Sequence, residues 1–264
     1  MVARQLRWVA WALFGVLVWA VWPTWNVRAQ GVDRIHLPVV YQGHLPSGAI
    51  TGRLLNLGGA EVGTVIELVK YAVPCCTELA TFTATTSLSG TFSFETPMGL
   101  RTNERYYLRY NNPTQFGPPN AYDTTRVLSW TSFDLTAYAY NEVAAFPDID
   151  VGNVSLNPNP DVVPVPYQFG WGRRAPYPTE SYDLLLTDQG PNFFGTGPLG
   201  YADHYDLASL PGGFAYDTPY IWGVHIASPT AGEGYSFFLG VTFGSGGPAS
   251  LSAPVAVPAG IALR

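Results

Sequence analysis

The sequence predicts an all-β protein composed of two tandem antiparallel β-sandwich domains. Short segments in which apolar and polar residues alternate follow one another along most of the chain, and such alternation is typical of strands that bury one face. The 28 glycines and 23 prolines supply the turns between these segments. No amphipathic helix pattern occurs between residues 49 and 156. With 47% hydrophobic residues in 264, the chain can bury a substantial core.

The N-terminus has the features of a secretory signal peptide. Two arginines precede residues 8–22, an unbroken run of fifteen apolar residues that ends at Pro23. A membrane-spanning helix needs about 20 residues, so the shorter run favours export with cleavage after Ala29. An uncleaved signal anchor is the alternative. Cleavage predicts a secreted, extracellular chain, free or associated with the cell surface, that has no further membrane contact.

The charge composition excludes a nucleic-acid partner. Charged residues form 12% of the chain, its formal net charge is −6, and Lys70 is its only lysine. Removal of residues 1–29 would leave ten basic and nineteen acidic side chains, a net charge of −9. Proteins that bind nucleic acid need clustered Lys and Arg to neutralise phosphates, and this chain lacks them.

Residues 30–48 form an arm, and residues 49–156 are predicted to form the first sandwich. The arm segment 34–40 resembles a sequence that often follows the signal peptide of secreted bacterial proteins. Gly58 and Gly59 separate the first two predicted strands, as in a β-hairpin. The alternation between residues 80 and 85 places threonines on the wet face. The predicted inward residues are Ala80, Phe82, Ala84, Phe92, Phe94, Tyr106, Leu108 and Tyr110.

Cys75 and Cys76 are the only cysteines, and they are adjacent. Export permits a disulfide, yet ordinary bridges join residues whose Cα atoms are further apart than those of chain neighbours. A strained vicinal disulfide, an intermolecular bridge and two free thiols therefore remain open. Their spacing does not match a zinc site, which needs four ligands.

The second half of the chain is predicted to form another sandwich over residues 161–245. Residues 157–166 contain four prolines, which favour extended backbone, and predict a Pro-rich linker or the first edge of the second domain. Residues 246–264 are rich in Pro and Ala and predict a flexible tail. The predicted inward residues of this half are Tyr182, Leu184, Leu186, Tyr220, Trp222, Val224, Ile226, Phe237, Leu239, Val241 and Phe243.

The first half resembles the carboxypeptidase regulatory-like domain, a small transthyretin-like sandwich. The matching segments are residues 48–55, 61–68, 85–94 and 106–108. The sequence departs from the family pattern at Ser87, where the family has an acid, and its region 111–150 is longer than such domains need. The resemblance implies a non-catalytic module that accompanies secreted enzymes and surface proteins, with a fold shared by some sugar-binding domains.

The second half resembles a fibronectin type III domain, which has an immunoglobulin-like fold. Trp171 matches the early core tryptophan of that family, and residues 210–212 together with Tyr220 match the corner where a tyrosine packs on the preceding loop. Residues 234–236 match the small-residue hairpin before the last strand. The insertion before Tyr220 is longer than usual. Such domains mostly serve as spacers or adhesive modules.

The sequence contains no recognisable catalytic constellation. Serine hydrolysis needs a serine, a histidine and an orienting acid, but neither a Gly-x-Ser-x-Gly elbow nor a His-Glu-x-x-His motif occurs. His204 is predicted in a turn and His225 on the solvent face of a strand. Asp148 and Asp150 share a predicted strand face, where they could bind calcium; a charged strand edge is the alternative we favour. We therefore predict a non-catalytic chain without cofactor or metal.

Aromatic residues are abundant in the region 111–150 of the first half. Aromatic faces can bind sugar rings, and Tyr138 and Tyr140, two residues apart, are predicted to share one face. The candidate ligand-binding residues are Tyr122, Trp130, Tyr138 and Tyr140. Packing in the core or between the domains is the alternative explanation for these aromatics.

These features predict a secreted or cell-surface protein with a structural or adhesive role. Its expected partner is an extracellular protein or a polysaccharide. A carbohydrate-binding protein that uses the aromatic region of the first half is one alternative. An accessory protein of a secreted hydrolase is the second.

Overall fold

A computed structural model describes residues 48–74, 77–95, 97–113, 123–158 and 161–245. All of them belong to one compact unit, His44–Arg264. The predicted signal peptide, its cleavage after Ala29, the tail 246–264, the arm before residue 48, Cys75, Cys76 and Tyr122 lie outside the described residues. Within the described ranges, no helix has the length and apolar character that a membrane span requires.

The described residues form strand after strand, which confirms the all-β prediction. Of the fifteen strand pairs among these residues, twelve are antiparallel. The three parallel pairs join residues 49–51 to 143–145, 54–55 to 149–150, and 161–163 to 241–243. The strands are β1 (Ala49–Asn56), β2 (Gly59–Ala60), β3 (Val65–Ala72), β4 (Thr77–Thr85), β5 (Thr91–Glu95), β6 (Glu104–Asn111), β7 (Ser129–Thr131), β8 (Val143–Ala145), β9 (Ile149–Asp150), β10 (Leu156–Asn157), β11 (Asp161–Val163), β12 (Tyr167–Trp171), β13 (Ser181–Thr187), β14 (Phe193–Gly195), β15 (His204–Leu207), β16 (Pro219–Ser228), β17 (Gly232–Tyr235) and β18 (Leu239–Phe243).

One sheet of ten strands extends through both halves of the sequence. Its path is β11-β18-β16-β17-β7-β6-β3-β4, and β13 pairs with β16 and carries β14 on its other side. Two smaller sheets pack against one face of this long sheet. The first has β1 at its centre, with β2, β5, β8 and β9 as neighbours, and the second has the order β10-β12-β15. The layers share one core cluster of buried apolar side chains, as a two-layer sandwich requires.

The alternating patterns place side chains as predicted. On β4, Thr81, Thr83 and Thr85 are exposed, whereas Ala80 and the other inward residues are half-buried. The predicted inward residues of β5 and β6 are buried, and so are Tyr182, Leu184, Leu186, Tyr220, Trp222, Val224, Ile226, Phe237, Val241 and Phe243. Leu239 is half-buried. The period of two therefore identified the core face of most strands.

The β1–β2 hairpin turns at Leu57 and Gly58. These two residues have φ values of 48° and 83°, and positive φ at both positions is the signature of a two-residue type I′ turn. Gly59 is not in the turn but begins β2, opposite Asn56. The expected hairpin is present, with the turn one residue earlier than the Gly-Gly pair suggested.

The two halves of the sequence join at the β7–β17 pair, where Trp130 lies opposite Gly234. A Cβ atom on Gly234 would lie 2.6 Å from the Ser129 carbonyl oxygen and would collide with the Trp130 ring, so the backbones approach this closely because residue 234 is glycine. Within the Pro-rich segment 157–166, Asp161–Val163 pairs with β18 as an edge strand. The division into two domains stays a prediction, but a continuous sheet crosses the predicted boundary.

Candidate functional site

A buried arginine occupies the junction between the two halves. Arg174 follows β12, and its side chain is 1% exposed. Two successive turns, closed by hydrogen bonds from Tyr177 N to Arg174 O and from Glu180 N to Tyr177 O, bring Glu180 beside it. Arg174 Nε donates to Glu180 Oε2 at 3.0 Å, and Nη2 donates to Glu180 Oε1. This bidentate geometry is the strongest that an arginine and a carboxylate form.

The third guanidinium nitrogen of Arg174 reaches into the first half of the chain. Nη1 donates to the backbone oxygens of Asp150 (2.6 Å) and Gly152 (3.1 Å), and it lies 3.4 Å from Asp150 Oδ1. The Asp150 carboxylate also accepts hydrogen bonds from the N–H groups of Leu57 and Gly58 in the β1–β2 turn, at 3.0 and 2.7 Å. One buried ion network therefore connects the loop after β12 to β9 and to the first hairpin.

Aromatic side chains enclose this network. The Arg174 guanidinium carbon lies 4.9 Å from the ring centroid of Trp130 and 5.2 Å from that of Tyr177, which are cation–π distances. The Tyr177 hydroxyl donates to Asp150 Oδ2 at 2.7 Å, and the Tyr182 hydroxyl donates to Glu180 Oε2 at 3.1 Å. We call Arg174, Glu180, Asp150, Tyr177 and Tyr182 the Arg174 cluster.

The electrostatics of the Arg174 cluster keep its donors protonated. Burial alone would lower the pKa of the Arg174 guanidinium, but the hydrogen bonds and negative charge of Glu180 outweigh burial and raise it. Burial raises the pKa of Tyr177, and its hydrogen bond to Asp150 raises it further. Burial also raises the pKa of Tyr182. All three groups therefore remain hydrogen-bond donors across the physiological pH range.

The structure separates the two aspartates that sequence analysis placed on one face. Asp150 is buried in the Arg174 cluster, whereas Asp148 is half-exposed and lies 3.6 Å from Arg53. Asp148 precedes β9 and is not part of a strand, and the prediction of a charged strand edge is wrong for Asp150, which is buried. No cluster of three metal-ligating side chains occurs within the described ranges. Period-two reasoning missed the cluster because the partner of Asp150 lies 24 residues further along the chain.

Lys70 forms a second buried ion pair. Its Nζ lies 2.7 Å from Glu104 Oε2 and donates to the Gly99 carbonyl oxygen at 3.0 Å. The hydrogen bond from Lys70, followed by one from the Arg101 backbone, lowers the pKa of Glu104. This pair joins β3 to the start of β6 in the first half.

The predicted ligand-binding aromatics do not form one surface. Trp130 is 1% exposed, and its Nε1 donates to the Ala231 carbonyl oxygen at 3.2 Å. Tyr138 is buried and its hydroxyl donates to the Glu142 carbonyl oxygen, while Tyr140 is 62% exposed. The expectation that Tyr138 and Tyr140 share a face is therefore wrong, because the chain is not a regular strand at these residues. Tyr122 lies outside the described residues.

The described histidines each pair with a carboxylate. The prediction of His204 in a turn is wrong, since His204 is the first residue of β15. Its Nδ1 lies 2.7 Å from Asp203 Oδ1 on the surface. His225 Nε2 lies 3.2 Å from Glu233 Oε2, and its ring packs 4.9 Å from that of Tyr235. His225 is on the outer face of the long sheet but is only partly exposed. Each described histidine therefore lies within hydrogen-bonding distance of a carboxylate near the surface.

Trp171 and Tyr220, which carry the resemblance of the second half to fibronectin type III domains, both make local contacts. Trp171 is buried, and its Nε1 donates to the Ala202 carbonyl oxygen at 2.8 Å. The Tyr220 hydroxyl accepts a hydrogen bond from the Ala215 N–H at 2.7 Å. The ring centroids of Tyr220 and Phe214 lie 4.8 Å apart. Tyr220 thus forms a hydrogen bond with the preceding loop despite the long insertion. Neither contact identifies a family.

The long sheet ends at β4, beside a shallow groove. Among the described strands, β4 pairs only with β3. The groove has a volume of about 610 Å³, and five of its seven lining residues carry hydroxyl side chains. In the turn between β4 and β5, the hydroxyls of Ser87, Ser89 and Thr91 lie 2.7–3.2 Å from one another. The hydroxyl residues that line the groove are Thr51, Thr85, Ser87, Thr91 and Ser93.

Comparisons with known proteins leave the function open. The chain matches no protein-family model, and it matches no curated protein. A DUF3823 family protein from Parabacteroides merdae is 13% identical over 75% of this chain and 98% of its own, with a TM-score of 0.26. The full-length major pilin SpaD from Corynebacterium diphtheriae is 12% identical over 74% and 65%, also at 0.26. A tetra-tandem repeat from the extending region of a large adhesion protein is 10% identical over 75% and 49%, at 0.23. At such TM-scores, these similarities assign no function to the chain.

Proposed function

We propose that this chain is a non-catalytic structural or adhesive module that acts outside the cell or at its surface. The observation that carries the proposal is the junction between the two halves. A continuous sheet and the buried Arg174 cluster both cross it, whereas independent domains in one chain normally meet through smaller, more polar and more mobile contacts. A rigid two-layer body suits a spacer that holds other segments apart.

The use of charged side chains supports this proposal. Arg174, Glu180, Asp150, Lys70 and Glu104 are all buried and contact one another in two clusters. Charged groups that serve chemistry face a cleft where substrate can reach them, whereas these bind backbone and side chains of neighbouring strands. Under the proposal their role is to connect strands.

The first test of the proposed function measures whether the chain is exported and where it is located. The full chain is expressed with an epitope inserted at Gly212, an exposed turn residue, and its fractions and surface labelling are measured in intact cells. The proposal expects labelling of intact cells or recovery from the medium. Retention of all protein inside the cell would contradict it.

A hydrolase screen on the exported chain tests the non-catalytic part. The proposal expects no turnover of ester, peptide or glycoside substrates above that of a buffer control. Turnover that disappears in His204→Ala or His225→Ala would contradict the proposal, because it would identify a histidine as a catalytic residue.

Carbohydrate binding is a second candidate function, which the hydroxyl-lined groove favours. Thr91 and Ser93 are exposed at its wall, and hydroxyls can both donate to and accept from the hydroxyls of a neutral sugar. Retention of the chain on insoluble polysaccharides tests this candidate. Thr91→Ala/Ser93→Ala should lose retention, while the matched change Thr131→Ala, at an exposed threonine on β7, should keep it. Trp130→Ala is unsuitable because Trp130 lies in the core.

A further inference from the structure

The structure assigns to β4 a further role as the site where a second copy of this chain pairs edge to edge, in antiparallel orientation. An edge strand presents unpaired N–H and C=O groups to any chain that can add to the sheet. Among the described strands, only β3 pairs with β4. This inference is independent of the proposed function, since it concerns only the end of the sheet.

The length and regularity of β4 distinguish it from the other sheet ends. It has nine residues, whereas β14 and β8 have three each and β15 has four. Natural proteins protect exposed edges by short strands, charges, prolines or bulges. The register of β4 with β3 shifts once, so that Leu79 is an extra residue, and the six pairs from Ala80 to Thr85 are regular.

The charge pattern of β4 favours another copy of this acidic chain as its partner. Residues 79–85 carry no charge. The one acid on the strand, Glu78, already accepts a hydrogen bond from Arg109 Nη1 at 2.6 Å. If two copies pair antiparallel about Phe82, their Glu78 residues lie about 27 Å apart along the strands, well beyond the screening length of about 10 Å. The pairing therefore brings no like charges of β4 together, although the chain has a net charge of −6.

The side-chain pattern of β4 is complementary to itself. Directly opposite residues in an antiparallel pair lie on the same face. A two-fold axis through Phe82 places Thr81 opposite Thr83 of the second copy, and Ala80 opposite its Ala84. An axis through Thr83 also keeps threonine opposite threonine. The inward residues Ala80, Phe82 and Ala84 are only half-buried at this edge, so the second copy would cover apolar surface that the chain alone leaves partly exposed.

The experiment compares two double variants of the full chain by light scattering coupled to size exclusion and by sedimentation velocity. Thr81→Lys/Thr83→Lys places a positive charge opposite another in either register, which destabilises a strand pair. The matched control is Ser129→Lys/Thr131→Lys on β7, an internal strand of the same sheet. Thr83, Glu67, Arg109 and Thr131 are cross-strand neighbours in one row, so the control adds the same charge to the same face.

We expect the unchanged chain and the β7 control to form dimers, and the β4 variant to dissociate with a Kd raised about tenfold or more. A mixture of the lysine variant with Thr81→Glu/Thr83→Glu should form a mixed dimer, since opposite charges then face each other. This mixture also tests the inference if the lysine variant alone is poorly folded. An unchanged chain that stays monomeric up to about 1 mM would overturn the inference. Equal dimerisation of both lysine variants would overturn it as well.

Discussion

The Arg174 cluster and the β4 edge differ in the partners of their backbone hydrogen-bonding groups. At the cluster, Arg174 and Asp150 bring charges into the core. Arg174 donates a hydrogen bond to the Gly152 carbonyl oxygen, and the Asp150 carboxylate accepts hydrogen bonds from the N–H groups of the first hairpin turn. At the edge, β4 is uncharged between residues 79 and 85, and one side of its backbone has no partner strand among the described residues. Among the described strands, β4 is the longest edge strand, and its residues 79–85 carry no charge, whereas charged side chains connect strands in the interior. The interior should therefore determine stability, and the edge should determine association.

Loss of the buried guanidinium should have the largest effect on stability. Arg174→Met leaves the Asp150 and Glu180 carboxylates buried without their cation, and we expect it to lower the free energy of unfolding by about 3–5 kcal/mol. Urea denaturation followed by circular dichroism measures this loss.

Arg173→Met is the matched control for Arg174→Met. Arg173 is the chain neighbour of Arg174, but its side chain is 44% exposed and lies 3.4 Å from an equally exposed Asp203. We expect a cost of no more than about 1 kcal/mol. Similar losses in the two variants would show that the buried cluster does not stabilise the junction.

A methyl group at the β7–β17 junction should have the next largest effect. Gly234→Ala places a Cβ against the Trp130 ring and the Ser129 carbonyl oxygen, and we expect a loss of about 1–3 kcal/mol because the two strands must separate. Gly212→Ala is the control, since a Cβ there meets no atom within 4 Å. Equal thermal midpoints for the two alanine variants would contradict a close junction.

The Lys70–Glu104 pair predicts an acid-dependent loss of stability. The folded-state pKa of Glu104 is lowered below its ordinary value of 4.5, so its contribution is complete above pH 4.5 and disappears as the pH falls through the folded pKa. Lys70→Met should reduce stability at pH 7 and flatten this acid dependence. Denaturation midpoints between about pH 2 and 6 measure the slope, and an unchanged slope in the variant would contradict the prediction.

Changes at the edge should have the smallest effect on stability. Thr83→Lys replaces an exposed side chain, and we expect its free energy of unfolding, measured at a concentration where the chain is monomeric, to change by no more than about 0.5 kcal/mol. A large loss would show that β4 supports the core, and the contrast between interior and edge would then fail.

Local patterns predicted the strands and most of the core, but not the junction. The alternation around Phe82, Phe92 and Leu108 identified inward faces because successive side chains of a strand point to opposite faces of the sheet. The Pro-rich segment suggested a domain boundary because proline restricts the backbone conformation locally. Such a local signal does not show whether a sheet continues across the segment. Sheet continuity depends instead on the approach of Trp130 to Gly234, residues that are remote in sequence. No local pattern contains that information.

The candidate sites were harder to predict than the fold. Trp130 and Tyr138 stood out as surplus aromatics, yet both belong to a core that spans both halves. Arg174 gave one signal that sequence analysis did not use: an arginine six residues before Glu180, between two strands, in a chain with few charges. Its pairing with Asp150 could not have been inferred, because only the folded topology brings β9 beside the loop after β12.

Hydrogen exchange in the native state tests most directly whether the two halves form one rigid unit. Exchange is followed by mass spectrometry at increasing, subdenaturing urea for peptides from β3 and β6 in the first half and from β13 and β16 in the second. If the junction couples the halves, all four strands will share one opening free energy, and Arg174→Met will lower it equally in both halves. Two distinct opening free energies, or a loss confined to the half that contains Arg174, would contradict the account.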